Sequence, residues 1–158
     1  MEIGIKILIV SATFVGMEFI TWFTHKYIMH GFLWYLHKDH HQPLYSLFEK
    51  NDAFFVIFAI PSSMLIIFGS AAGFDYRFSI GLGIMFYGLA YFFVHDIFIH
   101  QRFKIFRNAN GTYFKGLRKA HKVHHKHLGK EEGECFGMLL VPFKYYHEAA
   151  KSKSLLDA

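Results

Sequence analysis

The chain has 158 residues, of which 53% are hydrophobic, 20% aromatic and 18% charged, and its formal net charge is +5. A charged share below the ~25% of an ordinary globular domain excludes a disordered chain and points to lipid as the solvent. A single cysteine excludes an internal disulfide and any cysteine-rich zinc or iron–sulfur site, and twelve histidines ask for an explanation of their own.

Three apolar runs follow one another along the chain: residues 3–24, 53–74 and 78–99, each 22 residues long. At ~1.5 Å rise per residue such a run reaches ~33 Å, enough for the ~30 Å hydrocarbon core. Backbone groups in lipid must bond within their own segment, so these runs are predicted helices. The first has no small-residue cleavage site after it and reads as an uncleaved anchor. In the second, Pro61 predicts a kink, with Ser62 and Ser63 placed to cover the freed carbonyl. Residues 136–143 (FGMLLVPF) are too short to span and read as an interfacial or bundle-packed piece. The predicted fold is an all-α integral membrane protein. It has one domain over 1–158, three transmembrane helices, this short membrane-associated segment, and a helical histidine-rich cap formed by 25–52 and 100–158.

Charge orients the spans. Only Asp75-Tyr76-Arg77 joins the second run to the third, so this hairpin lies opposite the loop 25–52. Lys6 and Arg77 are the two basic residues on or near that far side, and fifteen of the 17 Lys and Arg fall in 25–52 and 100–158. The positive-inside rule makes the histidine-rich side cytoplasmic. The first hundred residues hold five basic and seven acidic groups, whereas the remainder holds twelve basic and five acidic. That basic tail suits the cytoplasmic face beside anionic lipid, and no nucleic-acid-binding motif accompanies it. Trp22, Tyr27, Trp34 and Tyr35 read as an interfacial aromatic belt.

Ten of the twelve histidines form a repeated two-part device. His25 and His30 are spaced HxxxxH where the first run ends, and His37, His40 and His41 follow as HxxHH. His95 and His100 repeat HxxxxH where the third run ends, and His121, His124 and His125 repeat HxxHH. On an α-helix the three rings of HxxHH share one face, while the two of HxxxxH lie about 140° apart. The spacing therefore predicts a dinuclear centre in which each HxxxxH pair is split between two ions, with four or five imidazoles per ion. Nitrogen-rich ligation fits iron, zinc, copper or nickel and argues against magnesium or calcium. His127 and His147 stand outside the pattern and read as surface residues.

Ten neutral ligands leave two divalent ions nearly uncompensated, so carboxylates become candidates for bonding ligand rings. Glu18 projects from the same helical stripe as His25, roughly 10 Å deeper at ~1.5 Å per residue. It is expected either to bond a ligand histidine or line the approach to the metals, or else to bond a neighbouring helix. Asp96 precedes His100 by four residues and is expected to hold its ring, and Asp39 is a similar candidate beside His40.

The segments HKYIMHG (25–31), HKDHH with Gln42 and Pro43, HDIFIHQRF (95–103) and KAHKVHH (119–125) resemble the bacterial carotenoid 3-hydroxylase family, itself similar to membrane fatty-acid hydroxylases and desaturases. The resemblance runs from the first span to about Leu140. Residues 129–137 read GKEEGECFG, similar in length to the family's segment but with rearranged middle residues. The resemblance implies a non-haem di-iron mono-oxygenase that takes O2 and ferredoxin electrons and hydroxylates the β-ionone ring of β-carotene at carbon 3, giving β-cryptoxanthin and then zeaxanthin. It implies iron-ligand roles for all ten patterned histidines, with zinc as a substitute the same donors would hold, in a bacterial inner membrane. Read from residues alone, hydroxylation, ketolation or desaturation of another lipid stays open, because cavity shape chooses the reacting carbon. A histidine-rich metal carrier is disfavoured, since only Glu18 lies deep in the spans, and axial haem ligation does not match HxxHH triplets.

Overall fold

The computed structural model describes residues 2–42, 48–103, 105–106, 109, 111–131 and 133–154. Among them there are helices and no strands. The elements are α1 (Ile3–Phe23), a π-helical stretch (Thr24–Phe32), α2 (Trp34–His41), α3 (Asp52–Ala71), α4 (Tyr76–Tyr91), a second π-helical stretch (Phe92–Ile99), α5 (Thr112–His124) and α6 (Phe143–Ser154). Three helical runs are long and apolar enough to cross a membrane: Ile3–Phe32, Asp52–Ala71 and Tyr76–Ile99. They match the expected spans, except that the first runs past Thr24 and carries both His25 and His30. Pro43 of the HKDHH motif and Glu132 of the 129–137 segment lie outside the described residues.

The chain forms two compact units, Met1–Ile20 with Leu36–Ala90, and Thr21–Tyr35 with Tyr91–Ala158. In the first unit, glycines let helices approach closely without any hydrophobic drive between them. A Cβ on Gly69 would lie 2.2 Å from the Phe78 backbone nitrogen, and one on Gly83 would lie 2.8 Å from the Val10 carbonyl oxygen. Apolar side chains such as Ile7, Leu8, Phe55, Ile60 and Ile67 point outward, as lipid solvent permits. The α3–α4 hairpin turns through Gly73 at φ +80° and is fixed by an Asp75–Arg77 ion pair at 2.7 Å. Ser62 does not cover the carbonyl freed by Pro61. Its hydroxyl donates across to the Gly81 carbonyl at 2.8 Å, because α4 lies within reach of that face.

The second unit is built on α5 and α6. Ala120, Cys135 and Tyr145 form its core, with Val123 and Val141 packed against them. Burial pushes the Cys135 thiol up to about 11, which suits an inert packed side chain. Residues 136–142 form no helix and Phe143 opens α6: Phe136 and Met138 are buried, whereas Leu140 and Phe143 are exposed.

Candidate metal site

Each HxxxxH pair lies on π-helical backbone. Leu33 donates to the Ile28 carbonyl at 3.0 Å, and His100 donates to the His95 carbonyl at 2.8 Å, both five residues apart. Bonding from i to i+5 widens the turn and brings residues five apart to the same side of the helix. Ring centroids of His25 and His30 are accordingly 5.1 Å apart, and those of His95 and His100 4.5 Å. The pairs are not split between two sides, as α-helical geometry predicted. The wider winding turns both members of a pair to one place.

The HxxHH triplet of α5 divides instead. In the second unit His25, His30 and His124 bring one ring nitrogen each within 4.8 Å of one another, and His95, His100 and His121 do the same. His125 adds an Nε2 at 2.8 Å from that of His121. The His121 and His124 rings are 5.7 Å apart, so the two trios are neighbours. In the first unit the Nε2 atoms of His37 and His41 lie 3.1 Å apart, and the His40 ring stacks on His37 at 5.2 Å. Eight of the ten histidines are buried, with His100 and His125 half-buried.

Six rings follow one rule: Nδ1 donates its proton to a fixed acceptor, which leaves Nε2 as the lone-pair nitrogen. For His25, His30 and His124 the acceptors are backbone carbonyls of one loop, Phe136 at 3.0 Å, Leu128 at 2.9 Å and Glu134 at 3.1 Å. This assigns the 129–137 segment a part in holding the rings. His37 donates to the Asn51 Oδ1 at 2.7 Å, and His40 to the Glu49 carboxylate at 3.1 Å. His95 donates to the Asp96 carboxylate at 3.2 Å.

Asp96 therefore holds His95 and not His100, and its other oxygen takes the Arg102 guanidinium at 3.1 Å. Nor does Asp39 bond a histidine. Its carboxylate accepts the Lys50 N–H at 2.6 Å, while Asp52 accepts the Glu49 N–H at 3.0 Å. The two aspartates pin the turn that presents Glu49 and Asn51 to the rings. Glu18 accepts the Tyr87 hydroxyl at 2.6 Å, the bond to a neighbouring helix that was its second expectation. Sequence reasoning missed Glu49, Asn51 and the three carbonyls. Asn51 carried one signal: it precedes α3 as a capping residue would, yet its side chain makes no cap bond. Trp34, expected in the aromatic belt, packs on the His30 ring at 5.2 Å, while Trp22 and Tyr27 pair edge to face at 5.9 Å.

The donors fit a soft or borderline transition metal. The Nε2 atoms of His30 and His124 face each other at 3.2 Å while both Nδ1 protons are committed to carbonyls. Burial pushes His124 down to about 3 and His125 to about 4, and holds His121 well below the ordinary imidazole range, so no proton bridges these lone pairs near neutral pH. A cation does. Two nitrogens each ~2.1 Å from one metal at an angle of roughly 100° lie ~3.2 Å apart. His127 is half-buried and His147 exposed, and neither joins a group of metal-holding nitrogens among the described residues.

The fatty acid hydroxylase family matches residues 10–147. The chain is 44% identical over 135 residues to the beta-carotene hydroxylase of Pantoea ananas, covering 85% of this chain and 77% of that protein. It is 42% identical over 132 residues to the beta-carotene hydroxylase of Pseudescherichia vulneris, covering 84% and 74%. Over 155 residues it is 40% identical to the chloroplastic beta-carotene 3-hydroxylase of Haematococcus lacustris, covering 92% of this chain and 46% of that protein. No solved structure matches the chain significantly.

Proposed function

Because the chain belongs to the fatty acid hydroxylase family, on its beta-carotene hydroxylase branch, we propose that it hydroxylates β-carotene at carbon 3 of the β-ionone ring, giving β-cryptoxanthin and then zeaxanthin. Two iron ions serve as the cofactor, held by His25, His30, His37, His40, His41, His95, His100, His121, His124 and His125. O2 is the co-substrate, and a ferredoxin-type protein supplies electrons. The observation that carries the reading is the set of Nε2 lone pairs gathered with their Nδ1 protons already committed, within a carotenoid hydroxylase sequence.

Bound iron supplies redox chemistry with O2 that side-chain acid–base groups lack when a C–H bond must receive oxygen. The chain's own residues prepare for it. Leu128, Glu134 and Phe136 carbonyls fix three rings in one tautomer and orientation, so no reorganisation is needed when metal binds. Burial of the rings excludes water and lowers their proton affinity, which keeps them ligand-competent at neutral pH. Asp96 places negative charge beside His95 and strengthens that imidazole as a donor. Histidines at the ends of two spans lie where a lipid-dissolved ring reaches them without leaving the bilayer. The single domain spans 1–158 in the bacterial inner membrane. The histidines face the cytoplasm, where the basic tail docks an acidic electron carrier.

Expression in bacteria that accumulate β-carotene, with pigments separated by chromatography, tests the reading. Mono- and dihydroxylated products are expected. Unchanged β-carotene in cells where the protein is iron-loaded and a reductase is present rejects the substrate. Iron analysis with an optical spectrum tests the cofactor separately: two irons per chain and no haem band are expected.

A further inference from the structure

The segment that follows the third span turns back along it. Gln101, with φ at +54°, reverses the chain immediately after His100, and Arg102 donates its N–H to the Asp96 carbonyl at 3.0 Å. Phe103 then packs on Phe92, with ring centroids 6.4 Å apart. Phe92 lies seven residues before Ile99 within a membrane-spanning run, more than a full turn from its end. Phe103 therefore lies at membrane depth, not beyond the span.

The side chains of this returning segment suit that depth. Phe103, Ile105 and Phe106 are 42%, 66% and 48% exposed, so they present apolar surface outward. Non-helical backbone near hydrocarbon needs its carbonyls satisfied by protein. Arg118 of α5 meets this need, donating to the Phe106 carbonyl at 2.9 Å and to the Ala109 carbonyl at 3.5 Å. Its guanidinium also stacks over the Phe98 ring at 4.1 Å, which joins the segment to the span end. Phe98 in turn packs on Phe114, with centroids 4.7 Å apart, so the apolar surface continues from the span into the first turn of α5.

We infer that the chain following the third span re-enters the bilayer beside it, with Phe103, Ile105 and Phe106 in contact with lipid. The occupant of this apolar surface is lipid and not a second copy of the chain, because the surface continues that of a membrane span. The inference stands apart from the reaction assigned above.

Full-length protein carrying Ile105→Cys, labelled with a bimane fluorophore, tests it in vesicles of phosphatidylcholine and phosphatidylglycerol. The buried native Cys135 reacts slowly and serves as background. Brominated phosphatidylcholine is expected to quench the label while aqueous iodide does not, and a label at the exposed Lys126→Cys should show the reverse. Iodide quenching without lipid quenching puts the loop in water and overturns the inference. Resistance to both quenchers means protein covers the surface and overturns it equally. Phe106→Cys provides the second variant should Ile105→Cys fail to fold, read by the same two quenchers.

Discussion

The two histidine trios of the second unit have nearly the same makeup but differ in a group that accepts a ring proton. Each combines one HxxxxH pair with one member of the α5 triplet. His25, His30 and His124 donate to backbone carbonyls of residues 128–136, whereas His95 donates to the Asp96 side chain, which Arg102 also holds. One trio is oriented by backbone dipoles that side-chain mutation cannot remove. In the other, the Asp96 carboxylate orients His95. Metal sites are commonly tuned by the groups that accept the ligand N–H, so a like set of donors here is given two different electronic settings.

The comparison can be broken in order of expected effect. His124→Ala and His121→Ala each remove a donor from one trio, and both should abolish hydroxylated pigment and lower bound iron, read by chromatography and metal analysis on the same preparation. Retention of full iron in either variant would remove that residue from the ligand set. Asp96→Asn keeps the shape but loses the charge beside His95, and a fall of about 10–100-fold in activity or metal affinity is expected. Gly133→Ala approaches the other trio through its loop. The new Cβ would lie 2.6 Å from the Phe136 ring and 2.7 Å from the Gly129 carbonyl, so the loop must shift. A Mössbauer spectrum should then show one iron signal altered and the other kept; equal change in both would erase the distinction. The smallest effect belongs to Glu134→Gln. Its carboxylate bonds Lys144 at 2.7 Å and Tyr145 at 2.5 Å, and the Lys144 hydrogen bond holds it below the usual carboxylate range. Lys144 is half exposed, so the thermal stability lost should stay within about 1 kcal/mol.

Local pattern was legible where one residue type at one spacing suffices. The spans followed from apolar length, and the ten histidines from their repeated motifs. Asp96 was legible only in part. Its bond to a histidine ring was foreseen, but the ring is His95 and not His100, because π-helical winding changed which neighbours meet. The acceptors for His25 and His30 lay 111 and 98 residues away, and no local periodicity reports a partner at that separation.

By itself, then, the sequence determined the solvent, the number of spans and the inventory of donor groups, since transfer to lipid and metal affinity depend on residue chemistry and length. Tertiary structure decided how those donors are grouped. Expected α-helical turns became i to i+5 turns at both HxxxxH pairs, and this brought together rings that α-helical geometry would separate. It also decided what orients the rings, because a hydrogen-bond acceptor is chosen by distance in space and not along the chain.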